Sequence, residues 1–147
     1  MAKVTVCGRV PTSPEQTWAT AADLPRFADW LTMHEAWRGQ LPSEFTEGTT
    51  LTSVVTIKGL RNRIAWRVVS YDEPHSLAIC GDGVGGVRVD LVLSIRPEGD
   101  GSLVGIDAQV TGKPVFGPIA MTLGRAVRGE LTKSLANLEA LLRSPSA

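Results

Sequence analysis

The residues of this chain that could carry chemistry are few: His34 and His75, Cys7 and Cys80, Ser53, a glycine run and one basic cluster. His34 lies within Trp30-Leu31-Thr32-Met33-His34-Glu35-Ala36-Trp37-Arg38. An imidazole there could orient a carbonyl or hydroxyl of a ligand, or act as a base; the plainer reading is a half-buried histidine bonded to nearby backbone. Neither His34 nor His75, which falls in a turn, has the companions of a metal site. Cys7 and Cys80 form no C-x-x-C pair and read as reduced thiols of a cytoplasmic protein. Ser53 has no base beside it to make it a nucleophile.

Gly81-Asp82-Gly83-Val84-Gly85-Gly86 satisfies G-x-G-x-x-G. That motif holds pyrophosphate only where a helix N-terminus follows the third glycine. Here Val87-Arg88-Val89-Asp90-Leu91 follows with the period of a strand, so a glycine-rich hairpin or bulge is expected and no nucleotide cofactor; a loop that edges a ligand pocket is the secondary reading. Lys58, Arg61 and Arg63 gather around one turn, as on a solvated hairpin tip; contact with an acidic partner or RNA is the alternative. The whole chain balances 15 Lys and Arg against 15 Asp and Glu, without the positive excess that phosphate contacts favour, so nucleic acid is not the expected partner.

These residues must be positioned by some framework, and the hydropathy pattern supplies one. With 147 residues, 43% of them apolar, the chain can build a single core. No run is long enough to span a bilayer, and Met1-Ala2-Lys3-Val4 lacks the apolar run of a signal peptide. Val4, Val6 and Val10 alternate as a half-buried strand. Ser13 is placed as an N-cap, with Pro14 at the first helical position and Gln16 completing a capping box, for a helix to about Ala22. Asp23 before Pro25 predicts a second helical turn carrying Leu24, Phe27 and Trp30 toward the core. An edge strand is expected around Ala36 to Leu41.

A meander follows: Thr50 to Lys58, a turn over Gly59 to Asn62, then Arg63 to Tyr71, Ser76 to Cys80, Gly86 to Arg96, a turn over Pro97 to Ser102, and Leu103 to Thr111. Alternation turns Leu51, Ser53, Val55, Ile57, Ile64, Trp66 and Val68 inward. Leu77, Ile79, Val87, Val89, Leu91, Leu93, Ile95, Val104, Ile106, Ala108 and Val110 join them, while Arg67, Arg88, Asp90 and Asp107 face solvent as cross-strand ion pairs. The inward face thus offers no titratable group for acid–base work. From Pro118 to about Arg143 the period changes: Ile119, Leu123, Val127, Leu131, Leu135, Leu138 and Leu142 form one helical stripe about 35 Å long. Ser144 to Ala147 is expected to be a disordered tail, leaving one domain over residues 1–143.

This order of elements resembles the START-like (SRPBCC) helix-grip superfamily, an α+β fold in which a curved antiparallel sheet of six to seven strands wraps a long C-terminal helix. Local motifs sharpen the likeness: Trp30 to His34, Trp37, Leu41-Pro42, Lys58-Gly59, Asn62-Arg63-Ile64 with Trp66, Gly81 to Val87, and Phe116-Gly117-Pro118-Ile119. They resemble short actinobacterial members, some of them named as toxins of type II toxin–antitoxin pairs. Apolar strand faces usually pack solid, so composition leaves a filled core and a cavity equally open; the resemblance implies a cavity. Its candidate lining is Trp30, His34, Trp37, Ser53, Val55, Trp66, Val89, Leu91, Ile106, Phe116 and Met121, with Ala120, Met121 and Gly124 suited to a mouth. The resemblance supplies no catalytic residues. It implies a carrier or sensor of a hydrophobic small molecule (lipid, polyketide or isoprenoid-like), with two alternatives: a toxin held by a small antitoxin protein, and a polyketide cyclase or aromatase.

Overall fold

The computed structural model describes residues 2–23, 26–39, 46–57, 60–112 and 117–143; of residues 57 and 60 it describes the backbone alone. Strand β1 (Ala2–Val10) alternates as its valines require, with Val4, Val6 and Val10 buried and Cys7 exposed. Helix α1 (Pro14–Ala21) starts where Ser13 Oγ accepts the Gln16 backbone N–H at 3.3 Å. The capping box is only half built, because the Gln16 side chain meets Ser13 Oγ (3.4 Å) and not its main-chain N–H. Helix α2 (Phe27–Trp30) is shorter than expected. The Asp23 carbonyl closes a turn with the Arg26 N–H (2.9 Å), so the helix begins at Phe27 without a side-chain cap. Leu24 and Pro25 lie outside the described residues.

Six strands follow: β2 (His34–Arg38), β3 (Thr50–Ile57), β4 (Leu60–Asp72), β5 (Ser76–Asp82), β6 (Arg88–Glu98) and β7 (Gly101–Thr111). They form with β1 one curled antiparallel sheet in the order β1-β7-β6-β5-β4-β3-β2. Strand β6 begins at Arg88 and not at Gly86, because Val87 closes the glycine hairpin. Most other boundaries extend past the sequence expectation, because ladder pairing satisfies backbone N–H and C=O groups further than side-chain pattern reveals. Strand β2 starts at His34, which pairs with Val55. Ile57 pairs with Leu60, which makes Arg61 and Asn62 strand residues and not turn residues. Glu98 pairs with Gly101, and the turn shrinks to Gly99-Asp100, with Gly99 at φ 57°. Lys58, Gly59, Leu41, Pro42, Phe116 and Ser144 to Ala147 lie outside the described residues, as does the side chain of Ile57.

Helix α3 (Gly117–Arg143) has 27 residues, about 40 Å at 1.5 Å each, and crosses the sheet packed most closely along β1. Its C-terminal half is sealed down: Val127, Leu131, Leu135 and Leu138 are buried in one cluster with Val68, Leu77, Leu93, Ile95, Val104 and Ile106. Trp18 from α1 and Trp30 from α2 complete that cluster. Buried Ser134 ties the helix to the chain after α2, accepting the Thr32 N–H at 2.9 Å while donating to the Glu130 carbonyl (2.8 Å).

Candidate functional site

Under the N-terminal half of α3 the same two layers meet along the β1 edge, where Ala120 packs with Ala2 and Val110, and part elsewhere. A cavity of about 720 Å³ separates them. Its floor is Ser53, Val55, Ile64, Trp66, Ile79, Val89, Leu91, Ala108 and Val110, and its roof is Pro118, Ile119, Thr122, Leu123, Ala126 and Val127. Phe27, Leu31, Met33, His34 and Trp37 close one end. Small side chains leave the space: Ala108 and Ala126 face it where larger residues fill the opposite half. Ile119, on the apolar stripe, is 57% exposed because it stands over this opening and not over packed atoms.

Of the candidate lining residues, the structure brings His34, Trp37, Ser53, Val55, Trp66, Val89 and Leu91 to the cavity. Trp30 and Ile106 are corrected to core: they are 3% and 4% exposed and plug the sealed half. Met121 is also corrected. It is 63% exposed and does not line the space, because two residues on from Ile119 it turns to the far side of the helix. Ala120 and Gly124 are not at the mouth either; Ala120 packs with Ala2 and Val110, and Gly124 lies beside Ala2. Phe116 lies outside the described residues. The candidate lining missed Phe27, Leu31, Met33, Arg61, Asn62 and the roof, and left out Ile64, Ile79, Val87, Ala108 and Val110, of which alternation had given only the inward face. The stripe through Ile119, Leu123 and Val127 carried the signal for the roof, whereas Asn62 was hidden by its assignment to a turn.

The polar groups of the wall differ in what they have left to give. Ser53 Oγ accepts the Trp66 indole N–H at 2.7 Å, which satisfies both buried groups and fixes the plane of the indole. Gly81 makes room for that ring: a Cβ there would run into Ile64 and stand 2.6 Å from Trp66 Cε3. The glycine run closes a hairpin, with Gly83 N–H donating to the Val87 carbonyl at 2.7 Å and Gly85 and Gly86 at positive φ. Strand β6 follows it, so no helix N-terminus is there to receive phosphate. Arg61, read from the sequence as part of a hairpin tip, borders the cavity from β4. Its guanidinium turns to the outer face and pairs with Glu35 at 2.6 Å, where Thr56 Oγ1 also donates to Glu35 (2.9 Å). Of the expected ion pairs on that face, Arg88 and Asp90 sit 3.7 Å apart along one strand, and Asp107 accepts from Thr5.

His34 is 9% exposed, its ring centroid 4.7 Å from that of Trp37 and 6.0 Å from that of Phe27. Its main-chain N–H donates to the Leu31 carbonyl, but neither ring nitrogen bonds a described residue. Burial among apolar rings holds its pKa below the ordinary imidazole value, since the charged form loses hydration without gaining a partner. The sign follows. As pH falls through the ordinary imidazole pKa, unfolded chains take up a proton that the folded state resists, and stability drops until the folded pKa is passed. Between about pH 7.5 and pH 5 the wild type should therefore lose more stability than His34→Phe, by denaturant titration. Parallel curves would show that the ring is protonated freely.

The sequence model of one protein family, described as polyketide cyclase / dehydrase and lipid transport, matches residues 1–143. The chain belongs to that family. A Mycobacterium tuberculosis protein named Toxin Rv0910 is 42% identical over 137 residues, covering 93% of this chain and 95% of that one. Among solved structures, a START superfamily protein from Mycobacterium smegmatis superposes with a TM-score of 0.79 at 22% identity, over 97% and 99% of the two chains. The protein TTHA0849 from Thermus thermophilus does so at 0.80 and 19% identity, over 99% of each. These likenesses establish the START-like helix-grip fold. For a member of the polyketide cyclase / dehydrase and lipid-transport family, the cavity is sparing in chemistry. Among its described lining residues stands one imidazole, and no carboxylate, lysine or thiol. No described helix is long and apolar enough to cross a membrane.

Proposed function

We propose that this protein is a carrier or sensor that takes an apolar small molecule, of lipid, polyketide or isoprenoid-like character, into the cavity beneath α3. The observation that carries the reading is the contrast along one helix stripe, sealed over Leu131 to Leu138 and open over Ile119 to Ala126. A ligand hiding roughly 300 Å² of apolar surface gains about 7 kcal/mol before association costs, which reaches micromolar affinity without an ion pair. The uncharged probe N-phenyl-1-naphthylamine should therefore bind saturably, quench tryptophan emission, and keep its affinity as salt is raised. Trp66→Ala should alter that binding more than Arg67→Ala, whose side chain is exposed on the other face. Absence of saturable quenching would remove the reading.

A second reading draws on the name of the Mycobacterium tuberculosis relative: a growth-inhibiting toxin held by a small antitoxin protein. Growth arrest on induced expression, relieved by a co-expressed neighbouring gene product, would support it. Cyclase chemistry has less behind it, because an acid–base pair would have to be found in a wall whose described residues include one imidazole and no carboxylate.

A further inference from the structure

The sheet register places three cavity residues in one row across three strands. His34 of β2 pairs with Val55 of β3, and Val55 pairs with Asn62 of β4. Directly paired residues of an antiparallel sheet project to the same face, and all three line the cavity. Two strand spacings separate the ends of the row, so His34 and Asn62 stand about 10 Å apart with an apolar side chain between them.

Both ends have hydrogen-bonding capacity to spare. The His34 ring, more than nine-tenths buried and turned to the cavity, bonds no described residue. Asn62 Oδ1 accepts the Val84 N–H at 3.0 Å, which orients the amide and leaves Nδ2 with two N–H donors that no described residue accepts. Of the other polar lining groups, Ser53 and Trp66 bond each other, Arg61 is held by Glu35, Trp37 has an interaction of its own, and Thr122 is exposed on α3.

We infer that His34 and Asn62 form a two-point recognition row for an elongated apolar molecule bearing two uncharged oxygens, hydroxyl or carbonyl, about 10 Å apart. The inference rests on the small-molecule reading above. Uncharged oxygens fit because a neutral imidazole and an amide N–H satisfy them without a buried charge, whereas a carboxylate would find the Arg61 guanidinium already paired on the outer face. The row also rejects ligands without the oxygens, since polar groups stripped of water and left unpaired penalise the complex.

The test is competition against N-phenyl-1-naphthylamine by octane, octanediol hydroxylated at both ends, butanediol and octanedioic acid. The preference for octanediol over octane should fall about fivefold or more in His34→Phe and again in Asn62→Leu, while octane itself binds as before or more tightly. His34→Gln, which keeps a neutral hydrogen-bonding group at that end of the row, should retain part of the preference. Butanediol, too short to span the row, should not sense both substitutions. Octane binding with an octanediol preference that neither variant changes would overturn the row, as would a preference for the diacid. Failure of octane to displace the probe at all would instead overturn the small-molecule reading beneath it.

Discussion

Leu131→Ala should unfold with a loss of about 2–5 kcal/mol, the full cost of truncating a leucine with no exposed surface. Leu131 has no exposed surface and sits mid-stripe in the sealed cluster with Val127, Leu135 and Leu138. Removing three carbons there loses their transfer free energy and leaves a void that close-packed neighbours, Ile95 and Val104 among them, refill only in part. Leu123, eight residues earlier on the same stripe, is the control. It is half-buried and faces the cavity, so Leu123→Ala enlarges existing space and should cost about 1 kcal/mol or less. Denaturant titration of the two variants with a common m-value compares them directly. Equal losses would mean that the N-terminal half of α3 is packed as tightly as the rest, and the cavity would be lost with it.

Filling the cavity from its roof should abolish most ligand uptake without unfolding the protein. Ala126 is half-buried on α3, one residue before Val127, with its methyl group toward the space. An indole at that position in Ala126→Trp would occupy the middle of the cavity. If it displaces about 100 Å² of a ligand's apolar contact, binding weakens by about 2.5 kcal/mol, roughly 50- to 100-fold. Stability should hold or rise, because apolar atoms enter a void and not a packed region. Probe titration and thermal unfolding of the same sample separate the outcomes. Unchanged affinity in a folded Ala126→Trp would place the binding surface elsewhere on the molecule.

Much of the architecture was legible in residue order. The alternation of Val4, Val6 and Val10, the paired turns of the meander and the stripe from Ile119 to Leu142 each follow from local chemistry. A strand shows its faces every second residue and a helix every three or four. Those periods also separated the floor of the cavity from the outer face, and they excluded a phosphate cradle at Gly81 to Gly86 once a strand pattern followed it. The motifs from Trp30 to Ile119 carried the family likeness. Periodicity says which way a side chain points but not how far away the opposing surface lies. Trp30 and Trp37, seven residues apart and alike in composition, parted on that account: one plugs the core and the other walls the space. Ile106 parted from the cavity for the same reason, whereas Met121 is off the apolar stripe and points to the far side of α3. His34 and Asn62 entered a common row only through pairing across β2, β3 and β4, a long-range register that adjacent residues do not encode. Residue order thus determined the fold and the polarity of its faces. Tertiary structure alone decided which half of one apolar stripe is packed solid and which stands open, because that depends on the summed volumes of side chains arriving from strands and helices far apart in the chain.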